Sequence, residues 1–163
     1  MTTFKIIAIS GDGAGAGKTH AARLFGQNVY TIADGMRSEL QTRYPNYNWF
    51  SREQEYKRTT LISELDNKSM RRVLLEYGQE KCVGNPRYWV DRLCDSLDRS
   101  SVLATGYSSI AIDDVRKICE IEALRVRFRN VVHIHVENPD AVFEPEFESE
   151  QLKAMADYVV RWK

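Results

Sequence analysis

The residues best suited to chemistry lie near the start of the chain, where a glycine-rich segment, 11–17, leads directly into Lys18 and Thr19. Glycines let the backbone curl with its N–H groups facing inward, and a helix start adds the positive end of its dipole. Such a loop binds phosphate, with the lysine on the β- and γ-phosphates of a nucleotide and the threonine hydroxyl on Mg²⁺. The residues predicted to bind the nucleotide are Gly13, Ala14, Gly15, Ala16, Gly17, Lys18 and Thr19.

This loop is one residue longer than the usual phosphate-loop spacing. Asp12 stands where the motif has its first strict glycine, and Gly11 lies one position earlier. The alternative is a glycine-rich turn between strand and helix that binds no ligand. A Gly-Lys-Thr sequence at a helix start, directly after the apolar strand predicted at 5–9, favours phosphate binding.

Acidic residues follow two further apolar segments, 28–33 and 109–113, which we predict to be strands. In an open parallel sheet the carboxyl ends of the strands face the ligand. We therefore expect Asp34 to be catalytic or to contact the substrate, and Asp114 to contact the substrate and bind Mg²⁺. The alternative for Asp34, and for either Asp113 or Asp114, is to cap the helix that follows.

Two arginines accompany these acids. Arg37 lies one turn inside the helix predicted at 36–43, where it can hold an anionic acceptor. Arg116 follows the acids at the end of the 109–113 strand and can neutralise a transferring phosphoryl group as a catalytic residue. A solvated arginine is the alternative for Arg37.

The remaining segments position these residues. We predict an aromatic loop at 44–50, which either stacks on a base or forms a small hydrophobic cluster. The other predicted helices run from 18 to about 25, from 51 toward 65 as a polar helix, over 69–77 with Gly78 as its cap, from near Pro86, and to an end near 128. A last strand is predicted at 130–136, with His133 and His135 on one face. An acidic loop at 138–148 and a closing helix or helix-strand segment at 149–162 follow it. Strands alternating with helices predict an α/β fold.

Composition limits the classes of protein. The 163 residues carry 23 basic and 23 acidic side chains, which argues against a surface devoted to coating nucleic acid. Three widely spaced cysteines form neither a zinc pattern nor a disulfide framework, as expected in a reducing compartment. With no leader or membrane span recognised, we expect a cytoplasmic protein of one domain.

Several motifs together resemble the phage deoxynucleoside monophosphate kinases, which are P-loop enzymes distantly similar to dephospho-coenzyme A kinases. The matching segments are Ile9-Ser10-Gly11 through Gly17-Lys18-Thr19, Ala33-Asp34, the run 71–80 followed by Pro86 and Tyr88-Trp89-Val90, and Asp114-Val115-Arg116 with Glu120 before the 131–136 strand. The resemblance implies a three-layer α/β/α P-loop NTPase fold with a parallel sheet, ATP as donor, and Mg²⁺. It also implies that Arg71 or Arg72, together with Arg116, holds phosphates.

The resemblance implies a single kinase domain over 1–163, with helical insertions for acceptor binding or a lid around 35–100. The leading hypothesis is transfer of the ATP γ-phosphoryl group to a deoxynucleoside monophosphate. The alternatives are phosphorylation of a hydroxyl, on a small molecule or a hydroxymethylated base such as 5-hydroxymethyluracil in phage DNA with Asp34 as base, and nucleotide binding without catalysis. We expect a nucleotide substrate as partner, no membrane, a possible homodimer, and the host cytoplasm if the chain is phage-encoded.

Overall fold

The structure is a computed structural model that describes residues 5–13, 15–26, 28–99, 109–140 and 148–162. Ala14, the segment 101–107 and most of the predicted acidic loop lie outside the described residues. The chain divides into two compact units. The first, which we call the sheet unit, combines Met1–Ile32 with Leu93–Lys163, and the second, the helical unit, is Ala33–Arg92.

The helices and strands alternate along most of the chain. The strands are β1 Lys5–Gly11, β2 Asn28–Thr31, β3 Leu61–Ile62, β4 Lys68–Ser69, β5 Ser109–Asp113, β6 Val131–Glu137 and β7 Tyr158–Arg161. The helices are α1 Lys18–Phe25, α2 Asp34–Arg43, α3 Gln54–Thr59, α4 Met70–Cys82, α5 Tyr88–Arg99, α6 Ile118–Arg127 and α7 Ser149–Ala154. No helix within the described ranges is both long enough and apolar enough to cross a membrane.

The sheet unit is built on a parallel sheet with the strand order β2-β5-β1-β6-β7. In the central strand, Ile7 lies beside Ala111 on one side and Val132 on the other. Strands buried on both faces are continuous apolar runs because helices cover both sides of a parallel sheet. The predicted α/β fold, with a parallel sheet flanked by helices, is confirmed.

Alternate residues of the central strands face opposite sides of the sheet. Ile9 of β1 and Ile134 of β6 pack with Ala21 of α1. His133 and His135 point to the other face, as the alternation of β6 predicts, and both are buried. The sequence therefore determined correctly which side of this strand is apolar.

The helical unit has a core of its own, formed by Leu40, Trp49, Ile62, Met70 and Val73. The indole of Trp49 is fully buried and donates its Nε1–H to the Tyr44 carbonyl at 3.0 Å. Partner groups inside the unit thus satisfy the one polar atom of this side chain. The hydrophobic-cluster interpretation of residues 44–50 is the correct one for Trp49.

Two predicted helix ends in the helical unit are wrong. The polar helix ends at Thr59, because residues 61–69 form the short antiparallel pair of β3 and β4, with Asp66 and Asn67 in left-handed conformations. The helix expected to stop at Gly78 continues to Cys82. A Cβ at Gly78 would lie 3.2 Å from the sulfur of Met36, so close packing of α2 on α4 is the local role of this glycine.

The capping alternatives for the acids are also wrong. Asp34 is the first residue of α2 and Ala33 is the N-cap. Helix α6 begins at Ile118 with Lys117 as its N-cap, so neither Asp113 nor Asp114 caps it. The helix-strand alternative for 149–162 is confirmed, because α7 is followed by β7, which pairs with β6 at the edge of the sheet. Its signal in the sequence is weak because it is short and largely exposed.

Candidate functional site

The glycine-rich loop lies where the strand order predicts a ligand site. The chain leaves β1 through α1 toward β2 on one side, whereas the connection from β5 through α6 leads to β6 on the other. Adjacent strands whose connections leave in opposite directions leave a crevice at their carboxyl ends. The loop after β1 and the residues after β5 therefore share one edge of the sheet.

The loop backbone is curled by three glycines in conformations that other residues rarely adopt. Gly13, Gly15 and Gly17 all have positive φ, at 138°, 83° and 89°, a region that glycine enters without steric penalty. The Ala16 N–H closes a turn on the Gly13 carbonyl at 3.3 Å. Gly17 precedes α1 and has no side chain that could cap it, so the amides of the first turn can receive an anion.

Lys18 is the cation at this loop. Its side chain is only 9% exposed, and its Nζ lies 2.8 Å from Oδ1 of Asp114. The second oxygen of Asp114 binds Arg116 Nη2 at 2.6 Å. Burial alone would raise the pKa of Asp114, but the charges of Arg116 and Lys18 outweigh it and hold that pKa well below its usual range.

Asp114 holds both cations from an unusual backbone position, with φ at 61°. Asparagine and aspartate enter the left-handed region more readily than other residues with a side chain. The aspartate thus suits the turn as well as the ion pairs. Its predicted role as a metal ligand stays a prediction.

Asp113 is the carboxylate that contacts the loop threonine. Its Oδ2 accepts from the Thr19 hydroxyl at 3.0 Å, and its Oδ1 accepts from Thr31 on the neighbouring strand β2. The Asp113 side chain is buried and ends β5 directly beside the loop. A hydroxyl and a carboxylate next to a phosphate cradle are oxygen donors of the kind that hold Mg²⁺ together with substrate phosphates. The residues present therefore fit a magnesium ion.

Arg116 is positioned by its backbone. The buried carboxylate of Glu120 accepts from the Arg116 N–H at 2.8 Å and from the Lys117 N–H at 3.0 Å. Burial raises the pKa of Glu120 against the effect of these two hydrogen bonds. The Arg116 side chain remains half-exposed at 51%, so its guanidinium can reach a bound anion while its main chain is held.

The structure also accounts for Asp12, the departure from the usual motif. Its carboxylate binds Nε2 of His135 at 2.9 Å, and Ser10 Oγ lies 2.9 Å from Nδ1 of the same ring and 2.7 Å from Nε2 of His133. The two ring nitrogens of His135 thus join Asp12 of the loop to Ser10 of β1. Burial lowers the pKa of His133 to about 4, with the charge of Arg125 acting in the same direction.

The remaining predicted residues lie in the helical unit. Arg37 Nη1 binds Oδ1 of Asp34 at 3.0 Å, and the Arg37 Nε is buried with no hydrogen-bond partner among the described residues. Arg72 pairs with Glu76 on its own helix at 2.7 Å. Arg71 donates to the side-chain oxygen of Gln54 at 3.5 Å. The structure brings Asp34 and Arg37 together, while Arg71 and Arg72 lie on exposed positions of α4.

Sequence reasoning missed several side chains that act on the loop, among them Asp113, His135 and Trp162. Asp113 could have been preferred to Asp114 because it is the last residue of the strand, where side chains point into the crevice. The contact of His135 with Asp12 and that of Trp162 with the loop span more than a hundred residues along the chain, and no local pattern indicates them.

Comparison with known proteins supports the fold alone. No protein-family model and no curated protein matches the sequence. Among solved structures, the chain is similar to TT1252 from Thermus thermophilus, with a TM-score of 0.52 and 14% identity over 99% of this chain and 90% of that one. At such low identity a likeness shows a shared α/β architecture and carries no information on activity.

Proposed function

We propose that the protein is an ATP- and Mg²⁺-dependent phosphotransferase that moves the γ-phosphoryl group to a deoxynucleoside monophosphate. The observation that carries this proposal is the contact of the Thr19 hydroxyl with the Asp113 carboxylate at 3.0 Å, beside a glycine loop that also supplies Lys18. A loop that only connects a strand to a helix does not require a buried lysine such as Lys18, or a contact between the Thr19 hydroxyl and the Asp113 carboxylate.

The chain's own residues would act mainly through position and charge. The amides of the loop and Lys18 would bind the donor phosphates, and Lys18 would shift from Asp114 toward them. Thr19 and Asp113 would hold Mg²⁺, which neutralises charge on the phosphates. Arg116 would neutralise the transferring group while Asp114 and the Glu120-bound backbone keep it in place. A phosphate acceptor is already an anion, so this reaction needs no strong base.

The acceptor part of the proposal depends on the helical unit. Arg37 is supported as an acceptor contact because its buried Nε has no partner among the described residues, and a phosphate oxygen would satisfy it. Asp34 orients that guanidinium from the first turn of α2. Arg71 and Arg72 remain predicted phosphate contacts. The protein would act in the cytoplasm, which is that of the host cell if the chain is phage-encoded. A homodimer remains a prediction, and sedimentation can check it by measuring the mass in solution.

A hydroxyl acceptor is the second candidate, favoured by the accessibility of one carboxylate. The Asp34 side chain is 39% exposed, so a substrate hydroxyl could reach it and transfer its proton. A small alcohol or a hydroxymethylated base in DNA would be such an acceptor. In this reaction Asp34 is the base rather than the partner of Arg37.

The deciding experiment is transfer of label from γ-labelled ATP with Mg²⁺. The acceptors are the deoxynucleoside monophosphates, dephospho-coenzyme A, and DNA with and without hydroxymethyluracil. Label in a deoxynucleoside diphosphate supports the proposal, and label in DNA or coenzyme replaces it with the hydroxyl reaction. ATP binding with no transfer to any acceptor would contradict both reactions and favour a nucleotide-binding protein.

Asp34→Asn separates the two acceptor classes. With a phosphate acceptor we expect turnover within about tenfold of the parent, because the amide oxygen still accepts from Arg37. With a hydroxyl acceptor we expect a loss of about 10²–10⁴-fold, the usual contribution of a general base. Glu64→Gln, an exposed acid of the same unit bound to Tyr47, is the matched control.

A further inference from the structure

Backbone carbonyls of the phosphate loop are held by side chains from the C-terminal part of the sheet unit. Ser149 Oγ donates to the Gly11 carbonyl at 2.8 Å. Trp162 Nε1 donates to the Ala16 carbonyl at 2.9 Å. The longer contact from Asn138 Nδ2 to the Gly15 carbonyl measures 3.4 Å.

The bond from Trp162 differs from the others in what it orients. In a planar trans peptide the C=O and the next N–H point in opposite directions. Holding the Ala16 carbonyl on the outside of the loop therefore turns the Gly17 N–H toward the inside. The Ala16 N–H donates to the Gly13 carbonyl and closes a turn. The Gly17 N–H has no hydrogen-bond partner among the described residues.

The indole also occupies the space beside this peptide. A Cβ at Gly17 would lie 2.4 Å from Trp162 Nε1, so the tryptophan fills the place that any other residue would need. Trp162 is itself held in place. Its backbone N–H donates to the Glu137 carbonyl at 3.0 Å, and its ring packs against the hydrophobic cluster that includes Ala21 of α1. The His20 ring lies 5.3 Å away on the first turns of α1.

We propose that Trp162 is a positioning residue that aims the Gly17 N–H into the phosphate site. This role rests on the proposed binding of nucleotide phosphates by the loop. The indole N–H acts through the Ala16–Gly17 peptide and does not itself contact the ligand. Trp162, the residue directly after strand β7, thus contributes to donor binding by holding one peptide group.

Trp162→Phe tests the role because it keeps a ring and removes the donor. Trp49 and Trp89 provide matched controls, since each donates Nε1–H to a backbone carbonyl of the helical unit, Tyr44 at 3.0 Å and Gly78 at 3.1 Å. We expect Trp162→Phe to weaken ATP affinity about five- to tenfold, the equivalent of one hydrogen bond, with the affinities of Trp49→Phe and Trp89→Phe unchanged. Equal affinity in all the variants would overturn the proposal.

A readout without nucleotide separates this role from the proposed function. In spectra of the free protein labelled with ¹⁵N-glycine, Trp162→Phe should shift the Gly17 amide signal, while the control variants leave it unchanged. An unchanged Gly17 signal overturns the positioning role. Failure of the parent protein to bind ATP, inorganic tripolyphosphate or phosphate would overturn the proposed function, whatever the Gly17 signal shows.

A second measurement covers the case in which Trp162→Phe does not fold. The double variant with Trp49→Phe and Trp89→Phe leaves Trp162 as the one indole in the chain. We expect its emission to change saturably with ATP or tripolyphosphate, because an anion on the Gly17 N–H polarises the peptide that Trp162 holds. Emission unchanged at saturating ligand would contradict the coupling.

Discussion

The two units present their candidate residues in different ways. In the sheet unit, Lys18 is 9% exposed and contacts a residue almost a hundred positions away in the chain. In the helical unit, Arg72 is 68% exposed and pairs with an acid one turn along its own helix. The first arrangement depends on the strand order, whereas the second depends only on helix periodicity.

This difference indicates how each unit can vary. The contacts of Lys18 and Thr19 with the residues that follow β5 are set by the strand order, so this arrangement changes only if the sheet changes. Arginines on helix surfaces can be moved or replaced at little cost in stability, since exposed ion pairs contribute about 0–1 kcal/mol. We therefore expect single substitutions to have larger effects on the phosphate loop than on α4.

Lys18→Ala should have the largest effect. We expect phosphoryl transfer to fall about 10³-fold or more, since the cation at the donor phosphates is removed. The matched control is Lys68→Ala, which removes a half-exposed lysine paired with Glu76 in the helical unit. Unchanged nucleotide affinity and turnover in Lys18→Ala would contradict the phosphate-loop assignment. It would also contradict the expectation that substitutions in the loop have larger effects than substitutions in α4.

Arg116→Ala should lower turnover more than ATP affinity. We expect a fall in kcat of about 10²-fold, because this guanidinium is proposed to act on the transferring group. Steady-state kinetics with ATP titration measure the two effects separately. Arg125→Ala, which removes another exposed arginine of the sheet unit, paired with Asp157 at 3.2 Å, is the control. A defect in ATP affinity alone would contradict the proposed role.

His133 should make the sheet unit sensitive to acid. Its pKa is lowered from 6.5 to about 4, so the unfolded chain binds a proton at a higher pH than the folded one. The stability of the parent should therefore fall as the pH is lowered from about 6.5 to about 4, by on the order of 2 kcal/mol. Urea titrations at several pH values should show a shallower fall for His133→Gln.

His20→Gln provides the control for this pH effect, because His20 is exposed at the start of α1. Its unfolding should follow the parent over the same pH range. Identical acid slopes for His133→Gln and the parent would mean that burial of this ring does not govern the acid sensitivity.

Tyr77→Phe should have the smallest effect and tests the helical unit. The Tyr77 hydroxyl donates to Glu39 Oε2 at 2.7 Å, while the other oxygen of Glu39 binds Arg92 at 2.9 Å. We expect a loss of about 1 kcal/mol in the free energy of unfolding. Tyr56→Phe is the control, because its hydroxyl has a longer, exposed bond to the Asn48 N–H at 3.3 Å.

The pH dependence of the same pair sharpens this prediction. Burial and the hydrogen bond to Glu39 raise the pKa of Tyr77 from 10.0 to about 12. A raised pKa means that the stabilisation is complete below about pH 10 and disappears as the pH rises toward 12. Between these values the parent should lose its advantage over Tyr77→Phe. An advantage that persists at pH 12 would contradict the bond.

Much of the fold could be predicted because its signals are local. The bounds of β5 and the start of α1 match the structure, since a buried β-branched strand and a helix after Gly-Lys-Thr depend on neighbouring residues. The ends of α3 and α4 could not be predicted in this way. The β3–β4 pair and the packing of Met36 on Gly78 are tertiary contacts that override local preference.

The sequence by itself determined an α/β chain and predicted a phosphate loop at Lys18 and Thr19, because strand periodicity, glycine spacing and residue chemistry are local properties. Only the tertiary structure decided that Asp113 contacts Thr19, that Asp114 binds Lys18, and that His135 and Trp162 support the loop. Those contacts join segments far apart in the chain. They exist because the strand order places β1 between β5 and β6, which no local pattern specifies.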